Sequence, residues 1–183
     1  MNLATTSALA LAAGLAIGCA GGVPRDASDS PYFEPGPNAR VVMLETVRLA
    51  PRELRAFFQE GRQVARGEVN PHYPNCDLEL NSLSEAAREV PPGVYRVTRT
   101  ERRHAPLAGR VELRVAALGI PSIDGGSPTI NYQTRFFLEA IEGGTGDIRA
   151  LNCAQWGEPG GITDYPTRDE IARALGDMGR LEL

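Results

Sequence analysis

The chain has 183 residues, a net charge of −4, an apolar content of 42% and a charged content of 23%. This composition is typical of a globular protein, and the length fits one domain that can bury a sizeable core. The negative net charge argues against a nucleic-acid-binding protein and against an electrostatic membrane patch. All 19 basic residues are arginine. We attribute this to the codon usage of a GC-rich genome, which also favours the abundant Gly and Pro.

The chain begins with an apolar run, residues 8–18, that ends at Cys19. The run is too short to span a bilayer, which needs about 20 residues, but it has the length of a signal-peptide core. Small residues before a cysteine, as in Ala16–Cys19, are typical of a bacterial lipoprotein signal. We therefore expect residues 1–18 to be a signal peptide and Cys19 to be acylated. Residues 2–18 contain no Lys or Arg, which departs from the positive charge that normally precedes the apolar run of a signal peptide. The alternative is an ordinary secretory signal in which the cysteine occurs by chance.

The residues after the cysteine extend this expectation. Ala20, rather than Asp, follows Cys19, and the sorting rule of familiar lipoproteins then indicates the outer membrane. Residues 20–38 are dominated by small residues, Pro and Asp, which is typical of a flexible tether. We expect residues 19–38 to be the lipidated cysteine and its tether, and residues 39–183 to be a single β-rich domain.

The chain has three cysteines, and an odd number in a secreted protein requires an explanation. If Cys19 is acylated, Cys76 and Cys153 remain, and two spare cysteines in an oxidising compartment usually form a disulfide. Such a bridge would close a long loop, for which the chain-entropy estimate is about 4–5 kcal/mol, less any strain.

Alternation of apolar and polar residues predicts that the domain is mostly β-structure. Residues 40–49 favour a strand. Residues 76–80 place Cys76 on a buried face, whereas Asp77 and Glu79 point outward and predict a solvated face. Further strands are predicted at 92–102, 111–117, 130–140 and 147–154.

Two segments complete the expected architecture. Residues 51–66 have apolar residues at helical spacing, but they also read as a strand and a turn, so both assignments stay open. Thr167 and Glu170 form a capping box that predicts a C-terminal helix ending at Gly179. The predicted fold is mainly β, at the margin of α+β, as an antiparallel β-sandwich or a small barrel with one C-terminal helix. Turns or loops are expected at 119–129 and 143–146.

Four stretches resemble a family of uncharacterised proteobacterial lipoproteins with a paired-cysteine, β-rich domain. They are His72–Leu80, Pro92–Val97, Leu151–Trp156 and Glu170–Asp177. In that family the region matching residues 54–65 tends to be β-branched, so the resemblance favours a strand in the ambiguous segment. It implies no activity.

Residue patterns typical of catalysis or metal binding are weak in this chain. A cysteine hydrolase needs a free thiolate beside a base, and we expect Cys76 and Cys153 to be bonded. A metal site at His72, Cys76 and Asp77 lacks four evident ligands. We therefore predict no catalytic residue, no metal and no cofactor.

A basic cluster and the single tryptophan are two further features that could form a site. Arg99, Arg102, Arg103 and His104 form a basic cluster, for which a solvated strand end is favoured over an anion site. Trp156 follows Cys153 closely and is expected to pack over the disulfide.

The sequence therefore predicts a non-enzymatic, outer-membrane-anchored periplasmic lipoprotein. Its partners would be the lipid bilayer, through Cys19, and an envelope protein, while nucleic acid is excluded. The alternative is a small-ligand-binding lipoprotein with a pocket in the β domain, between the sheet and the helix or inside a barrel.

Overall fold

A computed structural model describes residues 27–107, 129–158 and 164–183. These residues form ten strands and one α-helix, with short 3₁₀ turns at Arg66–Glu68 and Gly176–Met178. In chain order, the strands are β1 (Arg40–Met43), β2 (Val47–Leu49), β3 (Arg55–Gln59), β4 (Arg62–Val64), β5 (Asn75–Leu80), β6 (Arg88–Val90), β7 (Gly93–Pro106), β8 (Ile130–Gly143), β9 (Ile148–Gly157) and β10 (Gly179–Glu182). The helix α1 spans Arg168–Leu175.

Eight strands form one antiparallel sheet in the order β10-β1-β7-β8-β9-β5-β3-β4, and β2 pairs with β6 in a separate ribbon. The sheet curls into a half-barrel, and α1 packs against β10 at one end and against β3 and β5 near the other. The prediction of a mainly β fold with one C-terminal helix is confirmed. Of the two predicted architectures, the curled sheet is nearer to the small barrel than to the sandwich.

The ambiguous segment at residues 51–66 is a β-hairpin. Alternation in β3 buries Ala56 and Phe58 on one face, and β4 returns antiparallel beside it. Glu60 and Gly61 connect the two strands with φ angles of 53° and 79°, and two consecutive positive φ angles are typical of tight hairpin turns. The helical spacing in this segment therefore does not correspond to a helix.

The concave face of the sheet and one face of α1 form the core. Leu78, Phe136 and Leu151 are fully buried on the sheet, and Ile171 and Leu175 are fully buried on the helix. The predicted capping box is confirmed, because the Thr167 hydroxyl accepts from the Glu170 amide and the Glu170 carboxylate accepts from the Thr167 amide. The apolar stripe of α1 therefore closes the concave side of the half-barrel.

The end of the helix differs from the prediction. The helix stops at Leu175 and not at Gly179, and Gly176 follows with a φ of 48°. A Cβ on Gly176 would lie 2.4 Å from the Cα of Gly61, so the β3–β4 turn can approach the helix only at glycine. The chain then forms β10, which pairs with β1 and which the sequence did not predict.

The predicted strand at 40–49 is also wrong in part, because it is broken into β1 and β2. Leu44 leaves the sheet, is 41% exposed, and its amide donates to the carbonyl of Met178. Residues 47–49 then pair with β6 in the small ribbon. The predicted strands at 76–80, 92–102, 130–140 and 147–154 are confirmed as parts of β5, β7, β8 and β9.

Part of the predicted tether packs against the domain. Residues 27–38, which we call the N-terminal strap, include Phe33, which is 1% exposed and stacks near Phe136. The Ser28 hydroxyl donates to Asp169 at the start of α1, and the Ser28 carbonyl accepts from the Asp169 amide. Packed structure therefore begins before the predicted domain boundary at residue 39. The predicted signal peptide, Cys19, the strand at 111–117 and most of the loop at 119–129 lie outside the described residues.

Candidate functional site

Cys76 and Cys153 are directly opposite each other in the β5–β9 ladder and are joined by a disulfide. Both are fully buried, and their Cα atoms are 4.0 Å apart. The predicted pairing is thus present, and it links two neighbouring strands at the centre of the sheet. Neither sulfur is available as a thiolate or as a metal ligand in this oxidised state.

Asp77 and Glu79 correct a prediction. They lie on the convex face of the sheet as alternation requires, but only 8% of Asp77 and 6% of Glu79 is exposed. They are not a solvated face, because arginine and asparagine side chains from the neighbouring strands cover them. We call this set the outer-face cluster, and its members are Arg55, Asp77, Glu79, Arg135, Arg149 and Asn152.

Glu79 is at the centre of the outer-face cluster. Its carboxylate lies 2.8 Å from guanidinium nitrogens of Arg55 and Arg135 and 3.4 Å from one of Arg149. Asn152, which is 1% exposed, donates from Nδ2 to Asp77 at 2.8 Å and to Glu79 at 3.2 Å. One buried carboxylate is therefore held by groups from three different strands.

Burial changes the pKa of Asp77, the second carboxylate of the outer-face cluster. Desolvation raises the pKa of Asp77 above its ordinary value of 3.8, against the opposing effects of the Arg55 charge and the Asn152 hydrogen bond. The nearby Glu79 charge raises it further. Two buried carboxylates held among arginines give a structural ion-pair network, since every charge already has a partner of opposite sign.

The outer-face cluster continues over Phe137. The Arg99 guanidinium lies 4.0 Å from the ring centroid and that of Arg135 lies 4.8 Å from it. These distances are within the range of cation–π attraction. Arg99 also pairs with Glu101, which pairs in turn with Arg103. Because Arg99 and Arg103 are both paired with the Glu101 carboxylate, they do not form one free basic patch.

The predicted basic cluster at the end of β7 is therefore divided. Arg102 points away from Arg99 and donates to the carbonyl of Phe33 in the N-terminal strap. The Nδ1 atom of His104 lies 3.0 Å from the hydroxyl oxygen of Tyr165. The four residues that are close in sequence contact three different parts of the domain.

A second site is a groove of about 410 Å³ between the sheet and α1, bounded also by the N-terminal strap. The strap contributes Asp29 and Pro31. The loop before β5 contributes His72 and Tyr73, and α1 contributes Glu170 and Arg173. The groove thus brings together residues that are far apart in the sequence. We refer to it as the strap–helix groove.

Aromatic side chains pack against one wall of the strap–helix groove. Tyr165, at its wall, is 5.9 Å from Tyr32 and 5.6 Å from Tyr132, centroid to centroid, in edge contacts. The Tyr32 hydroxyl donates to the Asp164 carboxylate at 2.5 Å. This hydrogen bond, together with partial burial and the Asp164 charge, raises the pKa of Tyr32 to about 12. Tyr32 therefore stays protonated and holds Asp164 as the acceptor.

Trp156 corrects another prediction. It lies three residues after Cys153 in an uninterrupted stretch of β9, so its side chain points to the opposite face of the sheet from the disulfide. Its ring contacts His72 instead, edge to face, at 5.5 Å between centroids. Trp156 is therefore next to the strap–helix groove, where His72 is part of the lining.

Within residues 27–107, 129–158 and 164–183, no group of three or more His, Cys, Asp or Glu side chains is placed to hold a metal ion. The candidate ligand Cys76 is bonded to Cys153. The same residues include no helix with the length and apolarity to cross a membrane.

Comparisons of the chain with protein-family models, with curated proteins and with solved structures give no match. Sequence reasoning missed the outer-face cluster. It allowed for a pocket between the sheet and the helix, but it did not identify the residues that line the strap–helix groove. The available signal for the cluster was the arginines at outward positions of neighbouring strands, but their pairing requires the strand order.

Proposed function

We propose that this protein is a lipoprotein held in the outer membrane by acylated Cys19, with its domain facing the periplasm. The observation that carries the proposal is the Cys76–Cys153 disulfide, because such bonds persist in oxidising compartments such as the periplasm. The pairing of these two cysteines leaves Cys19, at the end of the apolar run, as the odd one. Acylation of Cys19 would then explain why the chain has an odd number of cysteines.

The proposed role is non-enzymatic, in envelope structure or in binding an envelope protein. The buried carboxylates of the outer-face cluster are bound to arginines, and Cys76 and Cys153 are bonded to each other. Groups of this kind stabilise a rigid domain and are not poised to act as a base or a nucleophile. The N-terminal strap joins this domain directly to the segment that leads to Cys19.

Labelling with radioactive palmitate in growing cells tests the anchor. We expect label in the wild type and none in Cys19→Ser, whereas a Cys76→Ser, Cys153→Ser double variant keeps the label because it retains Cys19. Equal labelling of wild type and Cys19→Ser would refute the anchor. Membrane fractionation tests the address, since Ala20→Asp should move the protein to the inner membrane. Crosslinking in intact envelopes followed by pull-down tests for a protein partner.

The strap–helix groove favours a second candidate, a small-ligand-binding lipoprotein. Its volume of about 410 Å³ is within the range of small-molecule sites, about 300–1,000 Å³. It lies between the sheet and the helix, and its lining combines aromatic with charged side chains that could fix the orientation of a ligand. This role uses the same anchor and can be tested independently of it.

A further inference from the structure

The charges that line the strap–helix groove are predominantly negative. Three carboxylates, Asp29, Asp164 and Glu170, face a single guanidinium, Arg173. Among the lining residues that the structure describes, the other titratable side chains are His72, Tyr73 and Tyr165. With histidine neutral, these described residues carry a net charge of −2, so they would repel an anion and attract a cation.

Two of these carboxylates are fixed before any ligand arrives. Asp164 accepts from the Tyr32 hydroxyl at 2.5 Å and from the Tyr165 amide at 2.8 Å. Glu170 accepts from the Thr167 amide at 2.8 Å in the capping box. Because these groups are already ordered, binding would lose little side-chain entropy.

The third carboxylate, Asp29, lies in a segment whose neighbouring residues are held by hydrogen bonds. Asp29 follows Ser28, whose hydroxyl and carbonyl both contact Asp169 at the start of α1. The next residue, Ser30, is 1% exposed, and its hydroxyl accepts from the amide of Tyr32. The N-terminal strap therefore forms a fixed wall of the groove rather than a loose cover.

Aromatic surface lies beside these charges. Tyr73 is 61% exposed, which is unusual for so large a side chain, and it lines the groove together with His72. The face of an aromatic ring is electronegative and attracts ammonium and guanidinium groups. An exposed ring beside fixed carboxylates is the combination that recognises an organic cation with an apolar or flat body.

We infer that the strap–helix groove binds an organic cation, an ammonium, amidinium or guanidinium group carried on a flat or apolar body. The carboxylates attract the charge, Tyr73 contacts the body, and Arg173 limits how far the positive group can move along α1. The inference rests on the ligand-binding candidate above and names its ligand class. It does not depend on lipidation.

Benzamidine is a suitable probe, because benzamide is its neutral counterpart of nearly the same shape and benzoate is its anionic one. The full mature lipoprotein in non-ionic detergent is titrated with each compound. Trp156 is the only tryptophan and contacts His72, so its fluorescence reports on the groove. We expect benzamidine to bind about tenfold more tightly than benzamide, and benzoate to bind more weakly than either.

Variants locate the site. Asp29→Asn should weaken benzamidine binding about threefold to tenfold and leave benzamide binding unchanged. Tyr73→Ala should weaken both compounds, whereas Tyr73→Phe keeps the ring and should weaken neither. Glu89→Gln is the matched control, because Glu89 is an exposed carboxylate on β6 that pairs with Arg48 outside the groove. Circular dichroism of each variant establishes that it is folded.

The outcomes separate the two claims. If benzamide binds as tightly as benzamidine and Tyr73→Ala weakens both, the groove is a ligand site but the cation specificity is wrong. If no compound changes the fluorescence of folded wild type and calorimetry detects no heat, the cation inference is overturned. If Glu89→Gln weakens benzamidine as much as Asp29→Asn does, binding is general charge attraction and the proposed site is wrong.

Discussion

The two faces of strand β5 contain opposite kinds of buried side chains. Cys76, Leu78 and Leu80 lie on the concave face, where the disulfide and the apolar core surround them. Asp77 and Glu79 lie on the convex face and are almost as deeply buried, but among arginines and Asn152. The comparison teaches that a polar outward position is not necessarily a solvated one, because long neighbouring side chains can cover it.

The faces also differ in what removing a group should cost. On the concave face a change removes apolar contacts or a covalent link. On the convex face it leaves opposite charges buried without a partner, and the cost then depends on how many partners are affected.

Replacing both disulfide cysteines, as Cys76→Ala with Cys153→Ala, should have the largest effect. The bond links residues 77 positions apart, and closing a loop of that length stabilises the folded state by about 4 kcal/mol through the unfolded chain. Urea denaturation of the oxidised wild type and of the variant measures the difference. A reduced wild type should match the variant. An unchanged midpoint would show that the bridge does not stabilise the fold.

Glu79→Gln should lower the free energy of unfolding by about 3 kcal/mol, because the largely buried Arg135 loses its carboxylate partner. The side chains of Arg55 and Arg149 are 43% and 54% exposed, so losing the same partner costs them little. The same urea measurement applies. If Arg135→Gln in the Glu79→Gln background restores much of the loss, the cost comes from uncompensated charge. A loss below about 1 kcal/mol would mean that water already solvates these arginines, and the two faces would then differ less than the structure indicates.

Asp77→Asn should change how the free energy of unfolding depends on pH more than it changes the free energy of unfolding itself. Because the pKa of Asp77 is raised in the folded protein, the folded state binds this proton more tightly than the unfolded chain. Its contribution is complete below the ordinary value of 3.8 and is lost as the pH rises through the raised pKa. The variant should therefore lose less stability than wild type as the pH rises through this window. Thermal unfolding measured across this pH window tests it, and parallel curves would contradict the shift.

Glu139→Gln provides the matched control for an ion pair that is not buried. Glu139 pairs with Arg96 at 2.6 Å, but the two side chains are 59% and 51% exposed. Removing such a pair should cost less than about 0.5 kcal/mol. A loss comparable to that of Glu79→Gln would show that burial does not decide the strength of the pairs in this protein.

The extent of sequence prediction can be judged from particular residues. Alternation placed Leu78 and Phe136 on the buried face, and the spacing of Thr167 and Glu170 located the start of α1. Both signals are local and depend on backbone periodicity alone. By contrast, β10 was missed because a strand of four residues carries too little pattern, and its pairing with β1 comes from opposite ends of the domain.

The candidate site likewise depends on long-range packing and not on local sequence patterns. Asp29, Tyr73 and Arg173 share the strap–helix groove although no sequence pattern connects them. Trp156 was assigned to the disulfide because it is near Cys153 in sequence, but strand alternation places them on opposite faces. Nearness along a strand is therefore a poor guide to contact unless the parity of the separation is counted.

From the sequence alone the mainly β class, the capped helix and the pairing of Cys76 with Cys153 could be predicted correctly. The lipid anchor at Cys19 stays a prediction. All of these inferences depend on periodicity, on short motifs and on a count. The burial of Asp77 and Glu79 among arginines, and the acidic, aromatic groove bordered by the strap, the sheet and the helix, become visible in the folded structure and not before. Such features depend on the order of strands and on long-range packing, and local patterns along the chain do not specify either.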